Sequence, residues 1–177
     1  PDVLAAAAAA NRDDEPILFL PHLQGERAPL WDPKLRGSFV GLSSRTGEGE
    51  LALAVLEGVA LSARLLLQTL EIAAGFRPQT LLYGGGGSRS DLWSEIRADC
   101  LGIPLQRLAI SDAGCLGAAM LAAVGVGAFP GFQEAVSAMV KVERVFEPRA
   151  RYRARYERMS ATFLAVTRAL RELAPGE

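Results

Sequence analysis

The sequence is poor in the residues from which metal and redox centres are built. Its 177 residues include one histidine, His22, and two cysteines, Cys100 and Cys115, with no Cys-x-x-Cys pair. Such a set supplies neither a zinc site nor a disulfide framework, and it reads as isolated reduced thiols in a cytoplasmic protein. No metal ligands and no catalytic base are expected, and His22 is assigned a structural role as a neutral imidazole. An excess of one charge is also missing: the net charge is −1, which argues against a nucleic-acid binder with a basic surface. The long charge-free run 113–132 carries five glycines and Pro130, with no flanking basic cluster. It predicts no membrane span, but a small-residue helix that ends near Gly125 or Gly127 and passes into a loop.

What the sequence does have is apolar mass and an unusual glycine run. Half of its residues are hydrophobic, enough for one domain with a sizeable core. The chain begins at Pro1 without a methionine, so a fragment or a processed form is expected. The stretch LLYGGGGSRSDLWSEI, from Leu81 to Ile96, places Gly84–Gly87 between two elements. Before it stands a short strand, Thr80–Tyr83, expected to be buried; after it comes a helix over Asp91–Leu101, opened by a Ser88-x-x-Asp91 capping box. A glycine turn here can offer backbone N–H groups to an anion, or it can merely supply the positive φ of a tight turn. No Gly-Lys-Ser/Thr follows, so it is not a Walker A loop. A dinucleotide fingerprint would need a third glycine at Arg89 or Ser90.

Elsewhere the pattern alternates strands and helices, which predicts an α/β domain. Residues 1–16 read as a lead-in helix, Val3–Ala10, and a polar loop. Strands follow at Ile17–Leu20 and Ser38–Leu42, separated by a long irregular loop of the kind that often carries function. In that loop Glu26 and Arg27 read as a surface ion pair or as cleft-lining groups, and Trp31, like Trp93, as a core anchor. Glu50–Ala74 is the strongest helix. Glu50, Glu57, Arg64 and Glu71 recur every seventh residue as a narrow polar seam, so burial around most of its girth is expected. A strand follows at Leu105–Leu108, then the small-residue helix from about Gly114. In the tail, residues 149–174, Tyr152, Tyr156, Met159, Phe163, Val166, Leu170 and Leu173 form one apolar stripe, with the arginines expected on the solvated side.

Three separated pieces together resemble the FGGY family of carbohydrate kinases, in its C-terminal domain. The first is Phe19-Leu-Pro-His-Leu-Gln-Gly-Glu-Arg-Ala-Pro-Leu-Trp-Asp-Pro with Arg36-Gly37. The second is Gly37-Ser-Phe-Val-Gly-Leu, a seven-residue gap, and Glu50-Leu-Ala-Leu-Ala-Val-Leu-Glu57. The third pairs the glycine turn with Asp112-Ala-Gly-Cys-Leu-Gly-Ala-Ala119. Each glycine motif alone is weak; the ordered set over residues 17–125 is specific. The Gly-Glu-Arg-Ala-Pro form and the tail rich in arginine and tyrosine look most like the xylulokinases of that family, with other pentulose and hexulose kinases left open.

The resemblance implies an actin-like, ribonuclease H-like α/β domain with a mixed sheet flanked by helices, incomplete at its N-terminus. It implies that residues 1–177 are the nucleotide-side domain of a two-domain sugar kinase, inactive alone, with ATP and Mg²⁺ as cofactors and a pentulose such as D-xylulose as acceptor. The sugar site, the catalytic aspartate and the γ-phosphate hairpin would lie outside this chain, so no catalytic residue is assigned within it; a homodimer is left open. The implied nucleotide residues are Gly85, Gly86, Gly87 and Ser88 at the phosphates, Asp91 near the adenine amine, and Gly114 and Gly117 beside the ribose and adenine. Asp91 stands where the resemblance implies an Asn or another polar residue, and a helix cap is its alternative role. The small face Gly114, Gly117, Ala118, Leu121, Ala122, Gly125 admits either a nucleotide or a closely packed helix. A non-catalytic actin-like module that binds nucleotide for assembly is the competing function.

Overall fold

A computed structural model describes residues 2–173, and these divide into two compact units. The first takes the chain up to Arg77, Asp99–Gly102, and everything from Arg149 on; the second takes Pro78–Ala98 and Ile103–Pro148.

In the first unit, helix α1 (Val3–Ala9) starts at Asp2, whose carboxylate accepts from the N–H groups of Leu4 and Ala5. Strand β1 (Leu18–Leu20) is fully buried and pairs antiparallel with β2 (Ser38–Val40), Phe19 opposite Phe39 with ring centroids 4.6 Å apart. Helix α2 (Glu48–Ala74) begins two residues earlier than its apolar pattern does, because the Glu50 carboxylate accepts from the Gly47 N–H. It stops at Gly75, in the left-handed region at φ 72. Where α2 crosses β1 the backbones touch: a Cβ on Gly58 would lie 2.2 Å from the Phe19 carbonyl oxygen. Only glycine permits that approach.

Burial of α2 differs from the expectation. Its first half is buried from Ala52 to Leu61, whereas Leu66, Leu70 and Ile72 stand exposed, Ile72 at 84%. Apolar content alone made the whole helix look like core, whereas from Leu66 to Ala74 most of its residues are exposed. Glu57 differs in the opposite sense. It belongs to no solvated seam but is 1% exposed, and Arg155 of helix α6 (Arg153–Leu173) reaches it through Nε at 3.2 Å and Nη2 at 3.0 Å. The Tyr156 hydroxyl donates to the same carboxylate at 2.9 Å and accepts from Arg12 at 2.6 Å; Arg12 also pairs with Asp99. Arg155 is therefore an exception to the solvated arginines of the tail. The tail stripe itself is buried at Tyr152, Tyr156, Met159 and Phe163, then runs through Thr167, leaving Leu173 exposed; Ala174 lies outside the described residues.

The loop between β1 and β2 is organised around Glu26. Its backbone exchanges hydrogen bonds with Asp32 at 2.7 and 2.8 Å, and its buried carboxylate accepts from the N–H groups of Ala28, Leu30 and Trp31. Glu26 is thus neither a surface ion pair nor a cleft lining. This clasp holds Trp31 at φ 51 with its ring outward, 77% exposed, so Trp31 is not a core anchor. His22 is buried edge-on to Phe163, and burial pushes its pKa below 6.5, as its neutral structural assignment requires.

The second unit is a three-stranded mixed sheet in the order β3-β4-β5, with helices α3, α4 and α5. Strand β3 (Leu81–Tyr83) runs parallel to β4 (Leu105–Leu108), and β5 (Val142–Phe146) pairs antiparallel with β4. Between β3 and β4 lies α3 (Asp91–Leu101), whose last residues belong to the first unit. Strand β3 sits at the edge of the described sheet, which leaves Leu82 exposed rather than buried. After α4 (Ala113–Gly125) residues 126–131 form the expected loop, and a further helix, α5 (Phe132–Met139), which was not expected, precedes β5. The dense glycines and Pro130 end just before this element, Gly131 being its N-cap. No helix among the described residues is long and apolar enough to cross a membrane.

Candidate functional site

At the end of β3 the chain enters Gly84–Gly87, and the four glycines are not equivalent. Gly85 adopts φ 88, ψ 177, a conformation open in practice to glycine alone, and its N–H donates to the Ser111 carbonyl at 2.7 Å. This bond ties the turn to the loop that opens α4. Gly86 begins a short 3₁₀ turn, Gly86–Arg89, and a Cβ built on it would meet nothing within 4 Å. Gly87 is a packing glycine, since a Cβ there would lie 2.9 Å from the Trp93 ring and 3.2 Å from the Tyr83 hydroxyl. Ser88 is buried and spends its hydroxyl on the Gly85 carbonyl at 2.7 Å.

Facing the turn is the start of α4. Asp112 is its N-cap and accepts from the Cys115 N–H at 2.9 Å; that backbone bond is the chief reason its carboxyl titrates low. Gly84, Gly85, Gly86 and Arg89 on one side and Ser111–Gly114 on the other enclose an open cleft of about 480 Å³. Of the residues singled out in the sequence, the structure brings Gly85, Gly86 and Gly114 together here. Gly87, Ser88, Asp91 and Gly117 do not line this cleft. Gly117 and the rest of the small face of α4 are open, with Leu121 62% exposed, so no described helix of this unit packs against that face.

Asp91 is not the helix cap, and its carboxylate has partners that neither expected role included. The N-cap of α3 is Ser90, whose Oγ accepts from the Trp93 N–H at 3.2 Å. Ser88-x-x-Asp91 is therefore not a capping box, its Ser88 hydroxyl being already committed. Asp91 instead accepts from Arg107 at 2.6 Å and from Arg144, which hold its carboxyl low, the Arg107 hydrogen bond first. Arg107 and Arg144 are register partners on β4 and β5, and Arg107 pairs with Glu143 as well. Local spacing around residue 91 carries no trace of partners 16 and 53 positions away. Trp93 is half-buried beneath the Arg97 guanidinium, 4.8 Å from its ring centroid, as a packing anchor. Arg89 and Ser111, absent from the expected site, both line the cleft; a polar residue after a glycine turn was the available signal.

The cleft satisfies the geometric test for an anion of phosphate size. Two backbone segments converge on it, Gly86 leaves space that any side chain would fill, and Asp112 has its carboxylate occupied by the helix. Among the described residues no group of three His, Cys, Asp or Glu side chains converges to hold a metal ion.

A mixed sheet flanked by helices, with a glycine turn between β3 and α3, has the actin-like, ribonuclease H-like ATPase architecture. The gluconate kinase from Lactobacillus acidophilus superposes with a TM-score of 0.84 at 30% identity, over 96% of this chain and 34% of that one. The C-terminal domain of the FGGY family of carbohydrate kinases matches residues 2–126, and the chain belongs to that family. It is 33% identical over 174 residues to a xylulose kinase of Staphylococcus epidermidis, covering 97% of this chain and 34% of the relative. It is also 36% identical over 145 residues to a glycerol kinase of Bordetella parapertussis, covering 82% and 28% respectively. The chain thus spans about a third of the length of these curated relatives.

Proposed function

We propose that this chain is the nucleotide-side domain of an ATP-dependent sugar kinase that transfers the γ-phosphate to a sugar hydroxyl. The observation that supports it most is Gly86, whose missing side chain leaves the cleft between the glycine turn and the start of α4 open to a phosphate. Gly85 and Gly86 let the phosphate chain approach the backbone, and the N-terminus of α4 adds its partial positive charge. The open face of α4, from Gly114 through Gly117 to Leu121, receives the ribose and base. Gly87 and Ser88 act one step back, fixing the turn against Trp93 and the Gly85 carbonyl. Asp91, committed to Arg107 and Arg144, shapes the neighbouring surface rather than contacting adenine. When bound, ATP supplies the transferable phosphate and its Mg²⁺ neutralises developing charge.

The acceptor is a pentulose, D-xylulose foremost. The Gly25–Pro29 form and the likeness to a xylulose kinase support this choice, while the relatives named for glycerol and gluconate mark the alternatives. In this reading the sugar contacts, the catalytic aspartate and the remaining phosphate loops belong to a further domain of a cytoplasmic enzyme. Two measurements test it. Calorimetric titration of MgADP into this chain should show saturable binding, and D-xylulose phosphorylation by the 177-residue chain alone should not exceed a protein-free control. No MgADP binding, or turnover by the isolated chain, would each overturn it.

A further inference from the structure

Arg89 is the arginine that lines the cleft. Arg107 is shared between Asp91 and Glu143, Arg144 is held by Asp91, and Arg97 lies over the rings of Trp93 and Tyr83. Arg89 has no carboxylate at ion-pair distance among the described residues, although its charge helps hold the Asp112 carboxyl low in the same cleft. It ends the 3₁₀ turn, is exposed, lines the cleft, and donates through Nη2 to the neutral Ser111 hydroxyl at 3.2 Å. A guanidinium carries five N–H donors, so one bond to a hydroxyl leaves most of them unspent. The Ser111 tether has a second consequence. Ser111 accepts from the Gly85 N–H through its carbonyl and from Arg89 through its side chain, so one residue fixes both the turn and the cation beside it. Arg89 and Ser111 also line a second cleft of about 290 Å³ with Asp91, Arg107 and Glu143, and so stand as the wall between the two spaces.

Resting on the proposed nucleotide function of this cleft, we infer that Arg89 is a phosphate-positioning residue, its guanidinium held over the glycine turn by Ser111 to take non-bridging oxygens of a nucleoside di- or triphosphate. A planar fork matches two phosphate oxygens at once, which an ammonium cannot do. Arg89 would thereby set where the phosphate chain lies relative to Gly86, and close the first cleft against the second. Because its guanidinium is exposed, held by the Ser111 hydroxyl and by a solvent-screened attraction to Asp112, the residue makes little contribution to folding, and its removal should be read in binding.

The test is calorimetric titration of MgATP, MgADP, AMP and adenosine into the wild-type chain and into Arg89→Gln, Arg89→Lys and Ser111→Ala, with melting curves for each. Arg89→Gln is expected to weaken MgATP and MgADP at least tenfold, to leave adenosine within twofold, and to melt as the wild type does. Arg89→Lys should recover part of the loss, and Ser111→Ala should show a smaller loss in the same phosphate-dependent order. Wild-type affinity for MgADP in a folded Arg89→Gln variant would overturn the inference while leaving the cleft's function standing. An equal loss for adenosine and MgATP would also overturn it, by making Arg89 a general support of the loop. Failure of the wild type to bind any nucleotide would remove the cleft's function, and this inference with it.

Discussion

Replacing Gly86 by valine separates a glycine kept for a ligand from one kept for folding, because the adjacent Gly85 provides the opposite case. At Gly86 the backbone is outside the left-handed region and a Cβ meets nothing within 4 Å. A side chain there adds no strain and restricts the unfolded chain, so stability should change by less than about 0.5 kcal/mol. The same side chain would project into the space between the turn and Ser111–Gly114. Loss of one charge-assisted backbone hydrogen bond to phosphate is worth about 1.5–3 kcal/mol, or roughly ten- to 150-fold in affinity. Gly85→Val reverses the balance. At φ 88 and ψ 177 a side chain costs about 1–3 kcal/mol of backbone strain, although no neighbouring atom would obstruct its Cβ. Urea unfolding paired with MgADP titration on both variants should therefore show Gly86→Val stable but binding about ten- to 150-fold more weakly, and Gly85→Val destabilised. Wild-type MgADP affinity in a folded Gly86→Val protein would refute the phosphate role of this turn.

Two further predictions concern the first unit. Glu57→Ala should destabilise the chain by about 3–5 kcal/mol, since it strands the buried Arg155 guanidinium and removes the acceptor of the Tyr156 hydroxyl; a loss below about 1 kcal/mol in urea unfolding would show that water reaches the site. His22 makes stability depend on pH. Burial lowers its folded pKa below the unfolded 6.5, so on acidification the unfolded chain takes up the proton first and stability falls from about pH 6.5 downward, by up to about 1.4 kcal/mol per pH unit until the folded pKa is reached. As this is the sole histidine, His22→Leu should flatten that slope, and an unchanged slope between pH 6.5 and 5.5 would assign it to other groups.

What was legible in the sequence divides by the range of the interaction. Periodicity and end signals located α1, the core of α2, α3, α4 and the tail helix, because those depend on residues within a few positions of one another. The glycine turn was legible for the same reason: four glycines between a strand and a helix constrain the backbone locally, whatever packs around it. Two of the assignments that changed depend on partners distant in the chain. Glu57 looked like part of a solvated seam until Arg155, 98 residues away, neutralised it. Asp91 looked like a cap until two strands brought Arg107 and Arg144 to it. Gly87 also packs against Trp93, six residues on, a contact that the glycine run itself does not signal. Trp31 was misplaced because the clasp that turns it outward is made by backbone N–H groups, which leave no signature in residue type. The same distinction separates the two halves of the site. Gly86 can be identified as open only by what does not approach it, whereas Arg89 stands out only once the carboxylates that engage its neighbours are known. Which charge faces a cleft and which is spent on a close ion pair is a property of the fold, and residue order does not contain it.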